Sequence, residues 1–414
     1  MVTARVDDLD VPTNRKDAKV LARIPALTGL RWWAALGVFL YHAVTLPGIF
    51  APSATMKPIQ FILAPAGSLG VSFFFVLSGF VLTWSARPKD TPVSFWRRRA
   101  VRIYPNHWAG LLLAVGVMVL VSDYTQLHDV VRVALLVQTW TPSFIVATGV
   151  NGVSWTLACE MFFYLCFPLL ILLIRKIAPA RLYYWAAGIV AAVFLFPVLT
   201  SLLPAQPVMP YGPPVSEAAS WFVERFPVTR MAEFALGIVL ARIVLAGRWF
   251  RLPSWIAWAV LAAGYVVAMY NQGNLYGRIA ITLIPVAVLV ANAATSDVAG
   301  RPSLASRPTM VFLGNVSFAF YIVHLTVLSN IGRLFPAART TAIGFGIMVL
   351  ALVVTFALAW LLHVAVEKPV YRRFATSRAE RNAVPDGPTE GRDARQAEHH
   401  EAGRDARQTQ TPVN

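Results

Sequence analysis

Charge is what this chain has least of. Only 14% of its 414 residues are Asp, Glu, Lys or Arg, whereas a soluble domain carries about a quarter. Acidic residues are scarcer still: 20, against 36 Lys and Arg, which leaves a formal net charge of +16. So little charge cannot coat a water-soluble surface. The basic excess lies in clusters between apolar runs, which reads as membrane topology and not as the basic face of a nucleic-acid-binding module. Cysteine is nearly missing as well. Cys159 and Cys166 stand seven apart on one predicted helix; zinc requires a fuller ligand set, so they read as small core residues and no metal is expected. What is present is apolar: 57% of residues are hydrophobic and the mean hydropathy is +0.60. The chain therefore reads as an integral membrane protein in a lipid bilayer.

Apolar stretches of about 17–25 residues are candidate spans. Ten are found, near 32–50, 68–86, 105–122, 155–174, 183–203, 229–246, 253–270, 277–295, 310–334 and 342–366. A shorter piece, 130–140, reads as re-entrant or interfacial. The first ~30 residues are polar and the first apolar run is too long for a signal-peptide core, so no cleavable signal is expected. Loops rich and poor in Lys and Arg alternate. The stretches before Arg31 and around Arg97, Arg98, Arg99 and Arg102 are rich, while 51–67 and 123–154 hold one basic residue each. The positive-inside rule then puts both termini in the cytoplasm. The expectation is an all-α polytopic bundle of about ten transmembrane helices over residues 24–374. A cytoplasmic arm (1–23) precedes it, and a polar tail (375–414) follows, repeating "GRDARQ" and holding His399 and His400. The tail is too polar to build a core and is expected to be disordered.

Polar residues inside these apolar runs are the informative ones, because an ionisable group within the bilayer is expensive and normally faces the protein interior or a wet cavity. In "GLRWWAALGVFLYHA", Arg31 and His42 are eleven residues apart, about three turns, so they share a face some 16 Å apart along the axis. Arg31 is expected at the cytoplasmic headgroup level and His42 near the midplane. In "SFWRRRAVRIYPNHW", Arg99 and Arg102 share a face if the segment is helical; they serve either as topological charge or as a guanidinium fork for phosphate oxygens. Glu160 in "VSWTLACEMFFYLCFPLL" is either the structural partner of an arginine or a catalytic or acceptor-positioning group. Tyr321 and His324 lie on one face of the ninth span. Glu233, close after Arg230, reads as its ion-pair partner. His363 and Glu367 are placed at an exposed interface, and His107 and His128 in interfacial or loop positions.

Taken in order, "IPALTGLRWWAALGVFLYHA", "GSLGVSFFFVLSGFVLTW", "FWRRRAVRIYP", "VSWTLACEMFFY", "RMAEFALGIVLA", "GNVSFAFYIVH" and "VEKPVYRRF" resemble the acyltransferase family 3 of multi-pass membrane enzymes. The resemblance covers residues 24–374. It implies transfer of an acyl group, often acetyl, from cytoplasmic acyl-CoA to a hydroxyl. It places the family's Arg-x10-His element on Arg31 and His42, its R-x-x-R on Arg99 and Arg102, its acidic residue on Glu160, and its late Tyr-x-x-His on Tyr321 and His324. Trp32 and Trp33 stand where the family more often has smaller residues. The family decorates envelope glycans, exopolysaccharides and sugars of natural products such as macrolides, so a carbohydrate hydroxyl in a bacterial inner or plasma membrane is the expected acceptor, with a macrolide sugar as the alternative.

A hydroxyl attacking a thioester needs a base, and histidine titrates near neutral pH. His42 is the expected base, with Glu160 as runner-up or orienter. Arg31, Arg99 and Arg102 are expected to hold the CoA phosphates. His324 is expected to polarise the thioester or bind the acceptor, and Tyr321 and Trp155 to contact substrate. An acyl-enzyme on Ser78 or a cysteine stays open. The rival from another class is a proton-coupled transporter, since ten spans with buried His and Glu would suit one too.

Overall fold

The computed structural model describes residues 24–374 except 52, 87–89, 124, 211–213, 251 and 336–339; the arm and tail expected at 1–23 and 375–414 lie outside the described residues. Helices are α1 (Pro25–Thr45), α2 (Met56–Trp84), α3 (Pro92–Leu120), α4 (Leu127–Ala134), α5 (Phe144–Thr148), α6 (Trp155–Arg175), α7 (Leu182–Leu199), α8 (Glu217–Glu224), α9 (Pro227–Leu245), α10 (Ser254–Tyr270), α11 (Ala280–Val298), α12 (Pro308–Ile331), α13 (Thr341–Leu362) and α14 (Lys368–Phe374). The described residues form no sheet, only two isolated bridges.

Among the described residues, seven helical segments are long and apolar enough to cross a membrane. Each of the ten apolar stretches read from the sequence falls on a helix. The other three are α1, which carries Arg31; α9, which carries Arg230, Glu233 and Arg242; and α10, with 17 residues. The 130–140 piece is one short helix and a 3-10 turn, Gln138–Trp140, too short to cross.

Backbone chemistry explains where helices begin. Proline opens α1, α3, α9 and α12, the position where its missing N–H is no loss. The free Ala26 amide of α1 is capped across the bundle, donating to Asp297 Oδ2 of α11 at 2.8 Å. Helix α3 starts at Pro92, well before the expected span, so the arginine cluster is helical and Arg99 and Arg102 do share a face.

Helix α2 runs through the middle, packed on α1, α9 and α11. It approaches α9 at two glycines. A Cβ on Gly79 would fall onto the Phe234 carbonyl, and one on Gly237 onto the Val76 carbonyl. Helices α1 and α12 lie side by side in the same direction, with Gly314 against Thr28 near their starts and His324 against His42 further along. Trp32 packs edge-on to Phe320 of α12 and Phe356 of α13, at 5.1 and 5.9 Å between ring centroids, while Trp33 faces outward. The rim belongs to α7, α10 and α13. On α13 the buried residues Gly344, Ile347, Ala351, Thr355 and Ala359 form a mostly small-residue stripe at helical spacing, and the large residues Val353, Trp360 and Leu361 face out. That polarity suits a helix packed in lipid, where small residues let backbones approach.

Two placements differ from expectation. His107 is not in an exposed loop: it is fully buried on α3, with Nε2 2.8 Å from the Val133 carbonyl. His363 and Glu367 are buried rather than exposed, because a π turn, His363–Glu367, follows α13 and turns them inward. The expected Arg230–Glu233 pair is present at 2.9 Å, in the interior.

Candidate active site

Residues of α1, α2, α3, α6, α12 and α14 line a cavity of about 400 Å3. Helix α1 brings Arg31 to it; α3 brings Arg99 and Arg102 on one face; α6 brings Glu160 and, one turn later, Tyr164; α12 brings Tyr321. Five of the sequence-derived candidates, from four helices far apart in sequence, thus line one cavity. The rest of the lining is largely apolar and aromatic, including Val71, Phe74, Phe75 and Phe318.

Like charges gathered in a low-dielectric pocket repel unless carboxylates balance them. Two carboxylates do so here. Glu160 has Arg31, Tyr164, Arg99 and Arg102 as its electrostatic neighbours, not His42, so the sequence-level idea that Glu160 orients His42 is replaced by a role beside the arginines. Glu367 forms an ion pair with Arg102 Nη1 at 2.8 Å. The Arg99 guanidinium carbon lies 5.8 Å from the Phe95 ring centroid.

His42, His324 and Trp155 do not line the cavity. The histidines form a pair beside it, with Nδ1 of His42 3.1 Å from Nε2 of His324. Nδ1 of His324 is 2.7 Å from the Tyr321 carbonyl oxygen. A carbonyl only accepts, so His324 carries its proton on Nδ1. In the neutral ring Nε2 then accepts from His42 Nδ1–H, which leaves the lone pair on His42 Nε2. His324 is fully buried and His42 half-buried. Tyr321 is the shared wall: its hydroxyl is 3.2 Å from Thr156 Oγ1, its ring lines the cavity, and its carbonyl fixes His324. Trp155 stands behind Phe75, ring centroids 6.3 Å apart.

Of the alternative nucleophiles, Ser78 lines the cavity and lies 3.2 Å from the Tyr164 hydroxyl. Cys159 is buried away from it, with its thiol on the Arg225 carbonyl. No group of three or more potential metal-ligating side chains occurs among the described residues. Sequence reasoning passed over Tyr164, Asn106, Tyr371 and the inward turn of Glu367. The "VEKPVYRRF" segment was the signal, but an α-helical reading points its glutamate the wrong way.

The acyltransferase 3 family, described as an acyltransferase domain, matches residues 24–364. The acyltransferase MdmB of Streptomyces mycarofaciens is 39% identical over 381 residues, covering 89% of this chain and 97% of that protein. A putative peptidoglycan O-acetyltransferase of Bacillus subtilis, YrhL, is 26% identical, covering 84% of this chain and 55% of its own length. A putative O-acetyltransferase of Staphylococcus aureus strain COL is 25% identical, covering 75% of this chain and 52% of its own. The chain thus spans about half the length of these last two relatives. No solved structure matches. With a family match across nearly all of the helical bundle and a relative of similar length, the chain is a membrane-embedded enzyme that transfers acyl groups and belongs to the acyltransferase 3 family.

Proposed function

We propose that this enzyme takes an acyl group, acetyl in the first instance, from acyl-CoA and places it on a carbohydrate hydroxyl at a bacterial inner or plasma membrane. The observation that carries the reading is the cavity wall where Arg31, Arg99 and Arg102 converge. Guanidinium forks match phosphate oxygens in pairs, and CoA is a phosphate-rich donor with a long, narrow arm. With about ten spans and both termini cytoplasmic, the arginine wall opens to the cytoplasm, where the donor is supplied.

In this reading the phosphates sit on the arginines, with Glu160 and Glu367 balancing the charge before the donor arrives. The arm lies along the apolar lining toward Tyr321, and the thioester reaches the histidine pair when the Tyr321 ring turns aside. His42 Nε2 takes the proton as the acceptor oxygen attacks the thioester carbon. The C–S bond breaks, and the proton passes to the departing thiolate, releasing free CoA. His324 holds the His42 tautomer. This is general base catalysis with an oriented base, a division of labour shared with other acyl-transfer sites. The O-acetyltransferase names of two relatives support acetyl as the group and oxygen as its destination. The apolar, aromatic lining favours a second acceptor reading, a glycosylated natural product such as a macrolide sugar, over a heavily hydrated polymer.

The test uses purified enzyme in detergent with isotope-labelled acetyl-CoA and both acceptor classes. Detergent abolishes gradients, so label transfer cannot arise from transport. Arg99→Ala is expected to raise the KM for acetyl-CoA about tenfold; an unchanged KM removes the arginine wall from donor binding. Mass spectrometry of envelope glycans and small molecules, with and without the enzyme, identifies the acceptor.

A further inference from the structure

The C-terminal motif lies beyond the family match, which ends at residue 364, yet it reaches into the cavity. Glu367 is 4% exposed and makes contacts on both oxygens. Oε1 forms an ion pair with Arg102 Nη1 at 2.8 Å. Oε2 accepts from Asn106 Nδ2 at 3.1 Å and from His363 Nδ1 at 3.0 Å. One turn after Glu367, Tyr371 lines the cavity and lies under the Arg102 guanidinium, 5.6 Å from its carbon to the ring centroid. Arg102 is thus gripped by a carboxylate on one edge and an aromatic face on another, while about a third of its side chain stays exposed at the cavity. A long arginine side chain loses rotamer entropy when fixed. Here much of that loss is incurred before any ligand arrives, which is how preorganisation raises affinity.

We propose that Glu367 is a positioning residue of the donor site: it fixes Arg102 so that the free edge of the guanidinium presents to a phosphate of the acyl donor. Asn106 and His363 hold the carboxylate in place, and Tyr371 sets the plane of the fork. This rests on the reading of the cavity as the acyl-CoA site. Glu367 contacts Arg102 rather than the reacting atoms, so its effect falls on binding and not on chemistry.

The experiment measures KM and kcat for acetyl-CoA, and inhibition by free CoA, in the full-length enzyme and in Glu367→Gln, Arg102→Ala and the double variant. Glu367→Gln is expected to raise KM and weaken CoA inhibition about tenfold with kcat within about twofold, and to add nothing once Arg102 is alanine. Glu367→Asp, one methylene too short to reach Arg102 and Asn106 together, gives the same split and serves if the glutamine variant does not fold. A fall in kcat with KM unchanged, or full additivity with Arg102→Ala, overturns the proposal. If Arg102→Ala itself leaves KM and CoA inhibition unchanged, the donor-site reading falls first and takes this one with it.

Discussion

Exchanging His324 for asparagine or for glutamine separates the two histidine roles. In the structure Nδ1 of His324 faces the Tyr321 carbonyl at 2.7 Å and Nε2 faces His42 at 3.1 Å. An asparagine amide nitrogen stands close to the old Nδ1, so Asn keeps the contact to Tyr321 and loses the acceptor for His42. A glutamine oxygen stands close to the old Nε2, so Gln keeps the acceptor. A neutral hydrogen bond is worth about 1 kcal/mol net, roughly fivefold in an equilibrium. Losing it frees the His42 ring to adopt the wrong tautomer or to rotate. His324→Asn is therefore expected to lower kcat about 5–10-fold and His324→Gln about threefold or less. His42→Ala, which removes the base, is expected to lower kcat about 10²–10⁴-fold. The assay is single-turnover acetyl transfer in detergent at saturating donor, with thermal unfolding as the check on folding. The tautomer argument is refuted if His324→Asn falls as far as His42→Ala, which would make His324 the base, or if Asn and Gln behave alike.

Three further outcomes concern the scaffold. Gly79→Val forces a branched side chain onto the Phe234 carbonyl; it is expected to cost about 3 kcal/mol or more, read as a lower unfolding temperature. Arg230→Met or Glu233→Leu alone strands a buried charge and is expected to cost about 3–5 kcal/mol, while the double substitution recovers most of that loss by the same measure. Glu224, on α8 outside the spans, is pushed up by burial but pulled further down by Arg278 and Arg225, so its net position is below the ordinary 4.5. A depressed folded-state pKa contributes stability that is complete above the unfolded value and is lost as pH falls toward the folded one. Glu224→Gln is accordingly expected to flatten the acid limb of an unfolding-temperature profile below about pH 4.5 and to leave it sloping only if Glu224 does not titrate there.

The apolar helices and the shared face of Arg99 and Arg102 were legible because both rest on local rules. Helical periodicity set Arg31 above His42 and Arg99 beside Arg102, and the cost of intramembrane charge marked Glu160. What was not legible came from contacts between distant segments and from departures from regular helix. Periodicity cannot show that His42 of α1 meets His324 of α12, 282 residues on, because which helices adjoin is decided by close approaches such as those at Gly29 and Gly314. Depth alone suggested that His107 and Glu367 were interfacial. The short α4 segment covers the first, and the π turn redirects the second.

That π turn sets the angular phase of everything after it. Winding five residues with i to i+5 bonding inserts the equivalent of one extra residue into an α-helix, an offset of about 100° around the axis. Unwound back to ordinary α-helix by deletion of one of Val364, Ala365 and Val366, Glu367 and Tyr371 would both survive while aiming elsewhere. The cavity would lose the Tyr371 phenol, and Arg102 its carboxylate partner Glu367, by rotation alone, with no charge or ring removed from the protein.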